Sequence, residues 1–237
     1  MPHSPDDQSL TEILAKLSQM QNALNRFIDP DWKANRSLDD WALAITLETA
    51  ELIESYPWKW WKNIAAPADM KNVRIELVDI LHFALSGAAQ GGADEGSETG
   101  EAEASLAATA AVTKGTKEAI QVYRQIIRDA DMKKFHLVLR KVFAIAAHYD
   151  FNIIAYYVAK HTLNHVRQLG GYKKDSYQKI NPEGMEDNEM LHSCIAQISS
   201  AEIIGDFEGV GNSILTSVYN VFEIPEHQRN TIVKWME

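Results

Sequence analysis

Cysteine is almost absent from this chain, since Cys194 is the only one among 237 residues. No intrachain disulfide can form, and this usage is typical of a reducing, intracellular compartment, cytoplasmic or nuclear. No apolar stretch approaches the roughly 18 residues that a membrane span requires. The N-terminus also lacks the basic-then-apolar layout of a secretory signal. We therefore expect an intracellular protein without a leader and without a membrane partner.

Positive charge is also scarce, because 23 Lys and Arg face 33 Asp and Glu, giving a formal net charge of −10. A general affinity for nucleic acid is not expected at this charge. An anionic ligand can bind only where the local charge is reversed or where a metal is present.

Alternating strand patterns are missing, whereas apolar residues recur at three- and four-residue spacing. This periodicity predicts an all-α protein, a multi-helix bundle within a single domain over residues 1–237. Ser37 with Asp40 resembles a capping box before an acidic helix. Further helices are predicted at 11–27, 71–90, 117–130, 134–148, 152–169, 188–199, 211–222 and 226–235.

The segment 91–112 has no basic residue and five acidic ones, and its side chains are small or polar before Leu106. It can bury little apolar surface. We predict a mobile surface insertion at 91–112.

Two apolar helical segments each carry a pair of acidic residues three positions apart. Glu48 and Glu51 form the first pair, and Glu76 and Asp79 form the second. Residues at i and i+3 share a helix face, so packing the two helices together would bring four carboxylates into one partly buried place. Such a cluster needs cations, and hard oxygen ligands suit Mg²⁺. The alternative is that each pair lies on a solvated helix face. The duplication favours metal-assisted chemistry on a phosphorylated substrate.

The segment 160–179 has the opposite character, with five bases against the single acid Asp175. Gly170 and Gly171 allow the backbone to approach a ligand closely. Arg, Lys and Tyr donate to phosphate oxygens, Arg in bidentate fashion. The segment is either a solvated basic surface or the partner of the metals in holding a polyphosphate.

Two further features are compatible with a nucleoside base. Three tryptophans at 58, 60 and 61 either anchor their loop in the core or place one ring against a planar base. Gln21 and Asn25, at i and i+4, carry amides that can read a pyrimidine edge, although surface polarity explains them as well.

Together these segments resemble the dimeric all-α dUTPases, especially the kinetoplastid type. The matching segments occur in the family's order: WALAITLETAELIESYPWKWWKN, NVRIELVDILHFALSG, FNIIAYYVAKHTLNHVRQLGGYKKDSYQKI and EDNEMLH. The resemblance implies Mg²⁺-dependent hydrolysis of dUTP to dUMP and pyrophosphate, acceptance of dUDP, and a homodimer. Such a reaction controls the dUTP pool and supplies dUMP.

The resemblance also implies roles for individual residues. The metal ligands would be Glu48, Glu51, Glu76 and Asp79, with Glu48 or Glu51 also orienting or deprotonating the attacking water. The base and nucleoside positions would be Gln21, Asn25, Trp61, His82, Phe83 and Asn164. The phosphate positions would be Lys160, Arg167, Tyr172, Lys173, Tyr177 and Lys179.

One departure concerns the family's usual Gly-Tyr-Lys-x-Gly-x-Tyr, where Asp175 stands at the second glycine. Asp tolerates left-handed backbone conformations better than most residues, so the loop is expected to survive.

Two other functions remain compatible with the sequence. A related pyrophosphohydrolase could act on another nucleotide such as dCTP. A carboxylate-bridged di-metal bundle without phosphohydrolase activity usually carries Glu-x-x-His on each of two helices. Asp79 with His82 is the nearest approach to that motif here.

Overall fold

The computed structural model describes residues 7–91, 107–196 and 198–233, and in these ranges every regular element is a helix. The all-α prediction is confirmed. Two 3-10 helices cover Ala108–Thr113 and Tyr172–Lys174. The α-helices are α1 Asp7–Ile28, α2 Trp32–Asn35, α3 Leu38–Glu54, α4 Met70–Gly91, α5 Thr116–Asp131, α6 Phe135–His148, α7 Ile153–Leu169, α8 Asp187–Ile195, α9 Ser200–Gly205, α10 Phe207–Val221 and α11 Glu226–Val233.

No single helix in the described ranges is long and apolar enough to cross a membrane. Among the helices described, α6 and α7 are the one pair that together, interrupted by a bend, have the length and apolar composition of a span.

Local capping chemistry sets several helix ends. At α3 the Ser37 hydroxyl accepts the Asp40 backbone N–H at 3.2 Å, and the Asp40 carboxylate accepts the Ser37 N–H at 2.7 Å. This is the predicted capping box, and its hydrogen bonds hold the pKa of Asp40 below its usual range. The predicted helix at 188–199 is wrong in one respect, because it breaks after Ile195. Ser199 adopts an extended conformation and caps α9 through Glu202, so the earlier helix cannot run through it.

The chain divides into two compact units, one formed by residues 1–32 with 154–237 and the other by residues 33–153. In the second unit α3 packs on α4 and α5, and α4 also packs on α6. Its core is apolar, with Ile45, Leu52 and Leu77 fully buried. That both units form one functional domain stays a prediction.

Polar groups are also paired inside the second unit. The ammonium of Lys141 forms a buried ion pair with Asp129. The hydroxyls of Tyr56, Tyr123 and Tyr149 form a closed set of hydrogen bonds 2.6–2.8 Å long. Both features connect segments of the second unit through buried polar groups that are paired with one another, as buried polar groups normally are.

The predicted insertion at 91–112 is only partly described. Residues 92–106 lie outside the described residues, and their predicted mobility stays a prediction. From residue 108 the chain is packed, because Thr109 and Val112 are buried in the 3-10 helix. The hydroxyl of Tyr149 also lies 3.2 Å from the Val112 carbonyl oxygen, which places this end of the segment beside the tyrosine set.

In the first unit α1 and α7 are joined by side-chain hydrogen bonds to backbone and by a contact between two rings. The Tyr157 hydroxyl lies 3.2 Å from the Leu17 carbonyl oxygen, and His161 Nε2 donates to the Met20 carbonyl at 2.9 Å. The rings of Phe27 and His165 lie 5.2 Å apart, and burial lowers the pKa of His165 to about 4. His165 is therefore buried as the neutral imidazole at physiological pH.

Candidate active site

Three carboxylates meet where α3 packs on α4. One oxygen each from Glu48, Glu76 and Asp79 lies within 4.8 Å of the other two. The apolar faces of both helices force this meeting, because burying Ile45 and Leu77 aligns the acidic edges beside them. The predicted side-by-side packing of the two acidic helices is confirmed.

Glu51, the fourth predicted ligand, lies outside this close group. It is exposed on α3, one turn beyond Glu48, yet its charge still contributes to the raised pKa of Glu76. The four acids thus divide into three that converge and one that faces solvent beside them.

Glu76 is the most strongly perturbed member of the group. Only 6% of the residue is exposed, and its Oε2 has no hydrogen-bond partner among the described residues. Burial, followed by the charges of Asp79, Glu48 and Glu51, raises the pKa of Glu76 to about 9. At neutral pH the cluster therefore holds a proton or must bind a cation.

The donor set fits a hard divalent cation. The three members of the group offer only carboxylate oxygens, one of them a buried oxygen without a hydrogen-bond partner in the described part of the chain. His82 is not among the residues of this close group, and its Nδ1 donates to the Val78 carbonyl at 2.8 Å. The group can hold a metal ion, and it lacks the histidines that a carboxylate-bridged di-iron site would normally include.

The first unit contains a second polar cluster, centred on Lys160 and Arg167, which are both predicted to bind phosphate. Arg167 is 8% exposed and pairs with Asp187 through two hydrogen bonds, Nε to Oδ2 at 2.9 Å and Nη2 to Oδ1 at 2.7 Å. Asn188 Oδ1 accepts from Arg167 Nη2 at 3.0 Å and from Lys160 Nζ at 2.8 Å. Asn164 Oδ1 lies 3.4 Å from Arg167 Nη1. Lys160, Asn164 and Arg167 therefore share one face of α7, as their spacing indicates.

The glycine loop after α7 carries the remaining basic and aromatic side chains. Tyr172 lies under Lys179, with 5.6 Å from the ammonium to the ring centroid, and 6.2 Å from the ring of Tyr177. The Lys173 ammonium donates to the Ile28 carbonyl. A Cβ on Gly170 would lie 2.6 Å from the Tyr177 ring, so only glycine fits there.

Asp175 occupies a left-handed backbone position, with φ at +54°. This is the conformation expected from its place at the family's usual glycine. The loop is therefore formed with an aspartate at that position, at the cost of the strain that glycine would avoid.

Asp187 and Asn188 are polar partners that the sequence analysis did not single out. They lie in the segment EDNEMLH, which was noted only for its resemblance. No spacing rule connects Asp187 to Arg167 across 20 residues, so no local signal could have found the pair.

The predicted base-reading residues lie in both units. In the first unit Gln21 and Asn25 are buried, Gln21 Nε2 donates to Asn25 Oδ1 at 3.0 Å, and the Tyr157 hydroxyl donates to Gln21 Oε1 at 2.9 Å. The alternative explanation, that both are ordinary polar residues of the surface, is therefore excluded. In the second unit His82 is buried, and the ring of Phe83 lies 6.4 Å from that of Trp41.

The tryptophans between α3 and α4 are exposed. Trp58 is 36% exposed, Trp60 80% and Trp61 56%, and Trp61 contacts the other two rings edge-on at 5.4–5.6 Å. They do not anchor the loop in the core. This exposure agrees with the other alternative, in which one ring is accessible to a planar base.

Residues 13–172 match the sequence profile of a family described as dUTPase. The chain belongs to the all-α dUTPase family. The matched region includes the carboxylate group, Gln21, Asn25 and Arg167, and it ends at Tyr172. No curated protein matches the chain.

Membership in this family establishes the reaction of the enzyme. It is a dUTP diphosphatase and hydrolyses dUTP. The family match supports this activity over the two alternatives, hydrolysis of another nucleotide and a non-hydrolytic di-metal bundle.

Replacing Glu76 tests the electrostatic character of the carboxylate group. The pKa of the Glu76 carboxyl is about 9 in the folded chain, against its usual value of 4.5 in the unfolded chain. Between these two pH values unfolding releases a proton, so the free energy of unfolding falls as the pH rises. Glu76→Gln removes this loss, and we expect the metal-free variant to be more stable than wild type by up to about 5 kcal/mol at pH 8.

The measurement is urea unfolding in EDTA at pH 5 and pH 8. The advantage of Glu76→Gln should be small at pH 5 and large at pH 8. Glu51→Gln, which removes an exposed carboxylate beside the group, serves as the matched control and should show a much smaller advantage at pH 8, because the charge of Glu51 is the smallest contribution to the raised pKa of Glu76. An equal advantage of Glu76→Gln at both pH values would contradict the raised pKa.

Proposed function

We propose that the enzyme hydrolyses dUTP to dUMP and pyrophosphate in a Mg²⁺-dependent reaction, and that it also accepts dUDP. The convergence of Glu48, Glu76 and Asp79 within 4.8 Å is the observation that carries the metal dependence. The reaction would remove dUTP and supply dUMP. Its location would be intracellular, cytoplasmic or nuclear, in keeping with the single cysteine.

Glu48, Glu76 and Asp79 would hold the metal, with Glu51 beside them. Mutual repulsion and the buried Glu76 Oε2 favour a cation of high charge and small size. When bound, Mg²⁺ neutralises polyphosphate charge and acidifies water.

The carboxylates of α3 would orient and deprotonate the attacking water. Glu48 belongs to the close group, whereas Glu51 faces solvent one turn along the helix. This division suits Glu48 to metal binding and Glu51 to accepting the proton at a carboxylate oxygen.

The basic cluster of the first unit would bind the phosphates. Arg167 and Lys160 are buried cations held in place by Asn188, and Lys173 and Lys179 are exposed on the glycine loop. Tyr172 and Tyr177 add hydroxyl donors. Fixed cations of this kind stabilise negative charge on departing phosphate oxygens.

Gln21 and Asn25 would read the uracil edge, with Trp61, Phe83, His82 and Asn164 contacting the nucleoside. The support for base reading is that both amides are buried and tied to Tyr157, so that their orientation is restricted. Uracil presents O4 as acceptor and N3–H as donor, whereas cytosine reverses both. A fixed amide pair can therefore satisfy only one of the two bases.

We expect Glu48→Gln to lower kcat at saturating Mg²⁺ by at least about a thousandfold, because it removes a ligand charge while keeping the shape. Pyrophosphate release from dUTP, followed across a Mg²⁺ titration and after EDTA treatment, measures this effect. Glu54→Gln, the same change at an exposed position near the end of α3, should retain wild-type turnover. Near-normal turnover in Glu48→Gln would remove Glu48 from the metal site.

Gln21→Ala and Asn25→Ala should narrow the preference for dUTP over dCTP by about ten- to a hundredfold. Each variant removes an amide that pairs with uracil and that would be left unpaired when cytosine binds, so the penalty against cytosine becomes smaller. The ratio of kcat/KM for dUTP and dCTP measures the change, with products identified for dUTP, dUDP and dCTP. Gln19→Ala, at an exposed position of α1, is the matched control. Full discrimination in both variants would reassign base reading to other groups.

We also propose that the enzyme is a homodimer, as the resemblance implies. Leu43 and Leu47, at i and i+4 on α3, are 59% and 55% exposed, and a second copy of the chain would cover them. Leu47→Lys should therefore shift the dimer toward monomer in sedimentation velocity. Ile180→Lys, at an equally exposed position of the other unit, should leave the mass unchanged. A fully dimeric Leu47→Lys would place the interface elsewhere.

A further inference from the structure

We infer that Asp187 is a positioning residue that holds the Arg167 guanidinium in the orientation needed for the substrate phosphates. The inference rests on the proposed phosphate role of Arg167 and adds a residue to which neither the family match nor the sequence analysis gives a role. Asp187 lies beyond the matched region, which ends at residue 172.

The geometry of the pair fixes a plane as well as a distance. Both Asp187 oxygens accept from Arg167, at 2.9 Å from Nε and 2.7 Å from Nη2. Two parallel hydrogen bonds of this kind restrict rotation of the guanidinium, which a single contact would not. Asp187 is 2% exposed, so the pair is formed away from solvent, where screening is weak.

Asp187 also connects the other phosphate-binding candidates. Its backbone N–H donates to the Lys179 carbonyl at 2.8 Å, which joins the start of α8 to the end of the glycine loop. Burial and the nearby Asp187 carboxylate raise the pKa of Tyr177, while Arg167 opposes this effect. A single aspartate thus adjoins Arg167, Tyr177 and Lys179, and the next residue, Asn188, binds Lys160.

Asp187 could either orient the Arg167 guanidinium for phosphate or compete with phosphate for it, and the two roles have different consequences. The guanidinium has five N–H donors: the bridge to Asp187 uses two of them, Asn188 accepts from a third at 3.0 Å, and Asn164 Oδ1 lies 3.4 Å from Nη1. Because the bridge occupies the Nε–Nη2 edge, Asp187 can hold the plane while a phosphate oxygen replaces the amide oxygen at Nη1. If Asp187 instead competed with phosphate for Arg167, its removal would strengthen substrate binding.

The test is Asp187→Asn, which keeps the shape and removes the charge. We expect the KM for dUTP to rise about ten- to a hundredfold, as for the loss of a charged hydrogen bond, with kcat changed much less. Competitive inhibition by deoxyuridine, which lacks phosphate, should be unchanged. A KM that stays the same or falls would overturn the inference.

A double-mutant cycle shows whether Asp187 acts through Arg167. Arg167→Gln alone should raise the KM, and Asp187→Asn should then have little further effect in that background. If Arg167→Gln leaves the KM unchanged, the proposed phosphate role of Arg167 fails. If it raises the KM but Asp187→Asn does not, only the positioning role of Asp187 fails.

Two further variants separate positioning from folding. Asp129→Asn breaks the other buried ion pair, with Lys141, and should lower stability while leaving the KM unchanged. Arg167→Lys keeps the charge but cannot form the two-bond bridge, so it should raise the KM even if Asp187→Asn proves too unstable to assay. A wild-type KM in Arg167→Lys would overturn the inference independently.

Discussion

The repulsion among Glu48, Glu76 and Asp79 is the constraint on which the functional part of this structure depends. The apolar faces of α3 and α4 must pack together, and that packing carries the acidic edges of the two helices into contact. Glu76 is buried with an oxygen that has no partner in the described chain, which is unfavourable in the absence of a cation. The core of the second unit therefore stabilises a group that by itself opposes folding, as is common at active sites.

The first unit contains buried positive charge, the opposite of the buried carboxylates in the second unit. Its buried cations, Lys160 and Arg167, are held by Asn188 and Asp187, so positive charge is kept in a fixed place rather than on mobile surface side chains. Preorganised charge of this kind costs little reorganisation when an anion binds. Acidic and basic clusters thus each depend on helix packing within their own unit, which suits a hydrolase of a nucleoside triphosphate.

The glycine loop illustrates how far a family pattern can vary while its backbone is kept. Asp175 adopts the left-handed conformation that glycine usually supplies, whereas Gly170 cannot be replaced without meeting the Tyr177 ring. One position therefore requires only a backbone angle, which aspartate can reach, and the other requires the absence of a side chain.

Most helix positions and the acidic pairs followed from the sequence alone, because three- and four-residue spacing and capping chemistry are local. The Ser37 capping box and the shared faces of Glu48 with Glu51 and Glu76 with Asp79 belong to this class. Only the tertiary structure decided that Glu51 stays outside the close group, that the tryptophans at 58, 60 and 61 are exposed, and that Arg167 pairs with Asp187. These outcomes depend on which helix faces meet and at what rotation, and that is set by packing between segments far apart in the chain.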